Sequence, residues 1–380
     1  MDYYRFTVDL MTKLVALPSE SQNEETVARF LSDILEEIGM DTQLKHIEGN
    51  SYNVIAKNPV RNIGRSLLLG GHIDTVLPGS GWDTNPYQVV FKDGNYYGRG
   101  TSDMKCGLAA QIAVLKKLAD EGRLNQGNID FVCVCDEERF SLGAHDYADT
   151  LQKEGTTIPE FGILAEPHFN DIVIGAAGKA LICLDVEGAP GHAANPETGI
   201  NAIDSMSLLL NLIQAKYSAL YKAKEAGSYC VLKVASRYEG YSLSIPDHCS
   251  ATLNKQFMPH ESLDDFIQDI YTLFQENHIP GTLSVQKSMP TYSAYQVDPQ
   301  NPNLAHILDI VKEKHGMSLP LVVNQSVSDA NIFSHDLHIP TILFGPQGHD
   351  YHKANEYVIA SSIPKYMDTL EDFIDWYFSS

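Results

Sequence analysis

The stretch "NIDFVCVCDEERF", residues 128–140, joins an apolar run to three consecutive acids. The apolar run predicts a buried strand, and Asp136, Glu137 and Glu138 follow at its end. Adjacent carboxylates repel each other, so their placement there needs an explanation. One interpretation is a solvated loop, and the other is a site that uses one carboxylate as a ligand and its neighbour as a base. The flanking sequence decides between the two.

The segments around this strand alternate between strands and helices. Strands are predicted in "SYNVIAKN", "RSLLLGGHIDTV", "FGILAEP" and "PTILFGP", and helices in "SQNEETVARFLSDILEEIG", "CGLAAQIAVLKKLADEG" and "SIPKYMDTLEDFIDWYF". Such alternation is typical of an α/β fold with a mostly parallel central sheet.

The pattern changes between residues 178 and 291. There the predicted order is β-α-β-β-α-β, which includes the strand "SYCVLKVASRYEG" and is the ferredoxin-like arrangement. We therefore expect a discontinuous catalytic domain, residues 1–177 and 292–380, with an inserted α+β lid domain, residues 178–291.

Composition limits the function classes. A net charge of −22 over 380 residues, with no basic stripe, argues against partners such as nucleic acid or anionic membranes. No apolar run approaches the ~18–20 residues of a membrane span, and the start of the chain does not resemble an export signal. The six cysteines show no CxxC spacing and indicate reduced thiols. We expect a cytoplasmic protein.

Chemically active side chains recur where the predicted strands end. His72 and Asp74 end one strand, Glu166 ends another, Asp103 lies between a glycine-rich turn and a helix, and His349 and His352 follow the last strand. Each alone is equally consistent with a hydrogen-bonded loop or a helix-start acid. In α/β sheets, however, ligands collect at the carboxyl ends of strands. Histidines with carboxylates suit Zn²⁺, Co²⁺ or Mn²⁺, and one shared acid would complete a two-metal site.

These motifs together resemble a known family. The stretches "GGHIDTV", "GRGTSDMKCG", "CDEE", "AEP", "GHAANPETGINAI" and "HKANEYV" occur in order from residue 70 to 358. The chain resembles the di-zinc family that includes acetylornithine deacetylase, succinyl-diaminopimelate desuccinylase, aminoacylase and carboxypeptidase G. The resemblance implies an α/β catalytic domain, two divalent ions (zinc first, cobalt or manganese as alternatives) and a homodimer formed through the lid domain.

The resemblance also assigns residues by position. It implies one ion on His72, Asp103 and Glu166, and a second on Asp103, Glu138 and His352. Asp74 would orient His72, Glu137 would be the general base, and His192 would be a lid histidine that stabilises the oxyanion. Asp136 and His349 are expected to be an ordinary structural acid and a loop residue.

Some positions depart from the family pattern. Asn254, Gln256, Leu243 and Asn331 stand where many relatives carry arginine or other substrate-binding residues. Arginine commonly anchors a substrate carboxylate through paired hydrogen bonds. Lys179, Lys255 and Arg237 are candidate substitutes. The sequence leaves the substrate undefined.

The motifs therefore predict a metal-dependent hydrolase of an amide bond, either an N-acyl amino acid deacylase or a small-peptide carboxypeptidase or dipeptidase. The alternative is a catalytically silent or atypical-substrate binding protein on the same fold, against which the intact Glu137 and ligand set argue. A serine or cysteine hydrolase is disfavoured, because no G-x-S-x-G motif occurs and Cys106 has no histidine partner in its segment.

Overall fold

The chain forms two compact units. A computed structural model describes residues 1–60, 64–237 and 243–379. The first unit comprises Met1–Gly175, Gln296–Asn324 and Ser328–Ser380, and the second comprises Ala176–Tyr295 and Gln325–Val327. The second unit is thus largely one insertion in the sequence of the first.

Helices occur in both units. In chain order they are α1 (Tyr3–Val15), α2 (Glu25–Ile38), α3 (Lys105–Asp120), α4 (Leu142–Glu154), α5 (Ala202–Lys222), α6 (Leu263–Glu276), α7 (Pro302–His315), α8 (Asp329–Asp336) and α9 (Ser362–Ser379). Within the described ranges no helix is long and apolar enough to cross a membrane.

The strands range from two to eleven residues in length. In chain order they are β1 (Asp41–Glu48), β2 (Ser51–Lys57), β3 (Ser66–His72), β4 (Val90–Lys92), β5 (Asn95–Tyr97), β6 (Asn128–Val134), β7 (Phe161–Leu164), β8 (Ile172–Ala176), β9 (Gly178–Glu187), β10 (Tyr229–Ser236), β11 (His248–Phe257), β12 (Thr282–Tyr292), β13 (Tyr295–Gln296), β14 (Leu321–Asn324), β15 (Thr341–Leu343), β16 (Gly348–His349) and β17 (Tyr357–Ile359).

The main sheet of the first unit is mixed, with a parallel centre. Its order is β1-β2-β6-β3-β7-β15-β8-β13, and β14 pairs with β8. The central strands β6, β3, β7 and β15 run parallel, whereas β1, β2 and β8 pair antiparallel with their neighbours. Every residue of β3, β6 and β7 is buried, which explains their continuous apolar runs. The carboxyl ends of these three strands meet at one edge, because His72 is opposite Val134 and Gly70 is opposite Leu164.

A small second sheet in the same unit has the order β16-β17-β5-β4. Strand β17 pairs with β5. The loop that leaves β5 leads to Asp103, and the loop between β16 and β17 contains His352. This sheet therefore brings together two loops that are about 250 residues apart in sequence.

The second unit is a four-stranded antiparallel sheet with two helices. The sheet order is β10-β11-β9-β12, and the chain order is β9, α5, β10, β11, α6, β12. Alternate residues of β9 are buried, and they join side chains of α5 and α6 in one hydrophobic core. The predicted strand over residues 228–240 is observed as β10 up to Ser236, and residues 238–240 lie outside the described part of the chain.

Candidate metal centre

His72 lies at the end of β3 and is held by groups on both sides of its ring. Its Nδ1 is 3.0 Å from the backbone oxygen of Asp74. Its Nε2 is 2.9 Å from Asp103 Oδ1 and 3.7 Å from Glu166 Oε1. The parallel register of β3 and β7 brings the Glu166 segment next to His72, since Glu166 follows β7 directly.

Asp103 lies between His72 and a second histidine. Its Oδ2 is 3.3 Å from His352 Nε2, while its Oδ1 faces His72. Two glycines permit this placement. A Cβ at Gly107 would collide with the backbone oxygen of Ala165, and a Cβ at Gly348 would collide with the Ser102 side chain. The start of α3 can therefore approach both the Glu166 segment and strand β16 closely.

The acids that follow β6 face this same point. Glu138 Oε2 is 2.8 Å from His352 Nε2. The backbone N–H groups of Glu137 and Glu138 donate to the two carboxylate oxygens of Asp74, at 3.1 and 3.2 Å. Asp74 therefore fixes the backbone of both acids as well as contacting His72.

We call His72, Asp103, Glu138, Glu166 and His352 the metal-ligand cluster. Ligand atoms of His72, Asp103 and Glu138 lie within 4.8 Å of one another. Nitrogen and carboxylate oxygen are donors that Zn²⁺ and other divalent ions accept. The structure thus brings together the five residues predicted as ligands, and their donor chemistry fits divalent cations.

The electrostatics of the cluster also fit bound cations. Burial raises the pKa of the Glu137 and Glu166 carboxyls well above their usual range, and neighbouring carboxylates add to the rise. Burial likewise raises the pKa of Glu138. Hydrogen bonds to Asp103 and Glu138 raise the pKa of His352 to about 10. Positive charge between these carboxylates would offset their repulsion.

The sequence also singled out His192, His349 and Asp136. His192 is an exposed residue of the second unit, and its Nδ1 accepts a hydrogen bond from the Ala194 N–H at 3.1 Å. The ring of His349 is 5.5 Å from that of Tyr357. Asp136 is fully buried.

Two of the three candidate substitutes for the missing arginines form ion pairs with acids of the second unit. Lys255 is buried and pairs with Glu261 at 2.8 Å, and Arg237 pairs with Glu187 at 3.3 Å. Gln256 accepts a hydrogen bond from Ser228, and Asn331 is a buried residue at the start of α8. Lys179 is partly exposed on β9.

Two further residues support the cluster and were not predicted. Glu356 Oε1 accepts hydrogen bonds from the backbone N–H groups of Ser102 and Asp103, at 2.9 and 3.0 Å. Its other oxygen pairs with Arg99, whose guanidinium also donates to the backbone oxygen of Lys353. The motifs "GRG" and "HKANEYV" contain both residues, but their pairing has no signal in a single sequence.

Comparisons with known proteins identify the family. The model of peptidase family M20/M25/M40 matches residues 68–376. A probable succinyl-diaminopimelate desuccinylase of Staphylococcus aureus (strain MSSA476) is 27% identical over 398 residues, covering 96% of both chains. A succinyl-diaminopimelate desuccinylase of Anaplasma marginale (strain Florida) is 26% identical over 382 residues, covering 98% of this chain and 97% of that one. The family resemblance read from the motifs is confirmed.

A comparison of structures adds the fold. A tripeptidase from Staphylococcus aureus subsp. aureus Mu50 matches with a TM-score of 0.78 and 20% identity, over 99% of both chains. The predicted α/β fold is thereby confirmed, with a sheet that is mixed at its margins.

Proposed function

We propose that this chain, which belongs to peptidase family M20/M25/M40 and is a metal-dependent hydrolase of amide bonds, cleaves small N-acyl amino acids or short peptides. The observation that carries the proposal is the convergence of the metal-ligand cluster beside Glu137. The desuccinylase relatives favour the deacylase branch, and the solved tripeptidase favours the peptidase branch.

Two divalent ions would be held by the cluster. In this assignment His72 and Glu166 hold one ion, Glu138 and His352 hold the other, and Asp103 is shared. The contacts of Asp103 with both histidines support the sharing. Zinc suits the nitrogen and oxygen donors, with cobalt and manganese as alternatives. Such ions supply Lewis acidity, which polarises a carbonyl and lowers the pKa of water.

Glu137 is assigned as the general base. Its carboxylate takes a proton from the attacking water and passes it to the nitrogen of the leaving amine. Burial raises the pKa of Glu137, which makes its carboxylate a stronger proton acceptor and supports this role. Asp74 supports this role because its carboxylate accepts a hydrogen bond from the Glu137 N–H and so fixes the backbone there.

Asp74 also orients His72. A histidine that binds a metal usually donates its other ring N–H to an oxygen, which fixes the tautomer. The backbone oxygen of Asp74 lies 3.0 Å from His72 Nδ1, so a proton on Nδ1 leaves Nε2 free as the ligand atom.

His192 is assigned as the donor to the oxyanion that develops on the substrate carbonyl. Its Nδ1 accepts the Ala194 N–H, so the neutral ring carries its proton on Nε2. That proton is available for donation to an oxyanion. In this proposal the second unit acts as the lid domain that contributes His192, and the first unit is the catalytic domain.

A homodimer through the second unit is part of the proposal. Strand β10 is an edge strand, and Val231, Leu232 and Val234 on it are 38%, 58% and 52% exposed. An exposed apolar edge strand pairs readily with a second copy. A cytoplasmic location is supported by the six cysteines, which form no disulfide.

The test is amine release from a panel of N-acyl amino acids and dipeptides. The protein is stripped of metal with a chelator and then assayed with zinc, cobalt or manganese restored. We expect release that depends on metal and that selects one branch of the panel. Metal-bound protein that releases amine from no substrate would contradict the proposal.

A further inference from the structure

A cavity of about 490 Å³ opens beside the metal-ligand cluster within the first unit. Glu138 and His352 of the cluster form part of its wall. The other lining residues that matter here are Glu20, Thr75, Leu77 and Arg139. A substrate whose amide bond reaches the cluster can place a neighbouring group in this cavity.

Arg139 is the single Lys or Arg among the described residues that line the cavity. Other lysine and arginine side chains near the cluster are engaged elsewhere. Arg99 is buried against Glu356, and Lys353 pairs with Asp350 at 3.4 Å. Buried Lys105 donates to two backbone oxygens near the end of α1. The electrostatic attraction of the cavity for an anion therefore depends on Arg139.

The guanidinium of Arg139 is unpaired within the described parts of the chain, although acids outnumber basic residues 49 to 27. Its central carbon lies 5.1 Å from the centroid of the Phe140 ring. Stacking on an aromatic ring restricts an arginine and leaves its N–H groups free to donate. Glu20 lines the same cavity, but its carboxylate accepts a hydrogen bond from Tyr87.

The chemistry of the Arg139 side chain favours an anionic ligand here. A guanidinium binds a carboxylate through two parallel hydrogen bonds. Leu77, which is 74% exposed, gives the cavity an apolar wall for an aliphatic segment.

We propose that Arg139 binds a carboxylate of the substrate and so determines specificity for substrates with a carboxylate a short aliphatic distance from the scissile amide. The inference rests on the proposed function, since it concerns the substrate of that same site. The carboxylate can belong to the acyl side or to the amine side, and the experiment distinguishes these two sources.

The experiment measures kcat and KM of the zinc-loaded enzyme on three matched amides. N-succinyl-alaninamide has its carboxylate on the acyl side, N-butanoyl-alanine has it on the amine side, and N-butanoyl-alaninamide has none. Wild type is compared with Arg139→Gln and Arg139→Lys. Arg5→Gln is the matched control, because Arg5 is an exposed arginine of α1 with a side chain 81% exposed.

We expect Arg139→Gln to lower kcat/KM by about 10- to 100-fold on one carboxylate substrate, mainly through KM, and to leave the uncharged amide nearly unchanged. Arg139→Lys should lose less, because it keeps the charge but not the paired geometry. The substrate that loses affinity identifies the side on which the carboxylate lies. Arg5→Gln should match wild type throughout.

Two results would overturn the inference, and they differ from each other. If wild type cleaves the amides but Arg139→Gln lowers kcat/KM equally on all three, Arg139 does not bind a carboxylate. Such an equal loss with a lowered unfolding temperature would indicate a structural role beside Asp136, because burial raises the pKa of Asp136 to about 6 and the charge of Arg139 opposes that rise. If wild type cleaves no member of the series under any metal, the proposed function itself fails.

Discussion

The two histidines that face Asp103 differ in how they are held. His72 is 1% exposed at the end of β3, whereas His352 is 52% exposed in the loop between β16 and β17. We call His72 and Glu166 the strand side of the cluster, and Glu138 and His352 the loop side. Both sides offer one nitrogen and one carboxylate as ligands, so their donor chemistry is alike. They differ in the parts of the fold that hold those ligands in place.

The strand side is fixed by the main sheet. His72 ends β3 and Glu166 follows the parallel neighbour β7, so their register leaves little freedom. On the loop side Glu138 follows the parallel strand β6, but His352 lies in a loop and has a left-handed φ of 64°, which is uncommon for a non-glycine residue. The Arg99–Glu356 pair connects its loop to the Asp103 loop. A preorganised site binds its ion more tightly, so we expect the strand side to have the higher metal affinity.

The largest effect should come from Glu137→Gln, which leaves both sides intact. Removing the base should lower kcat by about 10²- to 10⁴-fold, because proton transfer is lost. Metal content measured by atomic absorption should remain at the wild-type value. The matched control is Glu37→Gln on the exposed face of α2, which should have normal activity. Near-normal activity of Glu137→Gln would refute the assignment of the base.

The expected difference in metal affinity between the strand side and the loop side is tested by comparing the variants His72→Ala and His352→Ala. We expect each change to lower kcat/KM by roughly 10²-fold, since removal of a ligand weakens an ion that activates the substrate. Titration with zinc should separate them, because His352→Ala should keep one tightly bound ion and His72→Ala should lose it. Equal residual affinities in the two variants would show that burial of the histidine does not decide affinity.

A smaller effect is expected for Glu356→Gln, which alters the support of the loop side without removing a ligand. The amide oxygen can still accept from both backbone N–H groups, but the charge opposite Arg99 is lost. Supporting groups around a metal site typically change affinity or activity by about 10-fold or more. We expect a loss of this size, with the weaker ion lost first on dialysis. Loss of the tighter ion first would place Glu356 on the strand side.

The sequence predicts the ligands at strand ends better than the loop of His352 for a physical reason. The buried strands β3, β6 and β7 have continuous apolar runs, and parallel strands align their carboxyl ends, so His72, Glu138 and Glu166 are expected neighbours. The strands of the small sheet are two or three residues long and have no periodicity to detect. Their pairing depends on contacts between distant segments.

Tertiary contacts account for the rest. Arg99 and Glu356 are 257 residues apart, and neither pattern nor spacing indicates that they meet. Helix α4 begins at Leu142, only a few residues after the acids that follow β6. Its first residue is therefore hard to predict from the sequence. Whether Arg139 forms a salt bridge likewise depends on where the carboxylates lie in the folded chain, and the sequence alone does not give those positions.

The smallest predicted effect concerns a buried carboxyl behind the strand side. Glu24 accepts hydrogen bonds from the Gln22 N–H and the Ser51 hydroxyl, and burial together with Asp74 raises its pKa to about 7. A raised carboxyl pKa gives stability that is present below the unfolded pKa and is lost as pH rises through the folded pKa. Wild type should therefore lose about 3 kcal/mol relative to Glu24→Gln between pH 4.5 and pH 8.

Urea unfolding of both proteins at pH 4.5 and pH 8, each in the presence of a chelator, measures that difference. The metal-ligand carboxyls titrate in both proteins, so their contribution cancels in the comparison. A constant difference between the two pH values would mean that Glu24→Gln changes only hydrogen bonding. A difference in the free energy of unfolding that changes with pH would show that the ionised form of Glu24 destabilises the fold next to the strand side. The main sheet would then hold the strand side in place despite this buried charge.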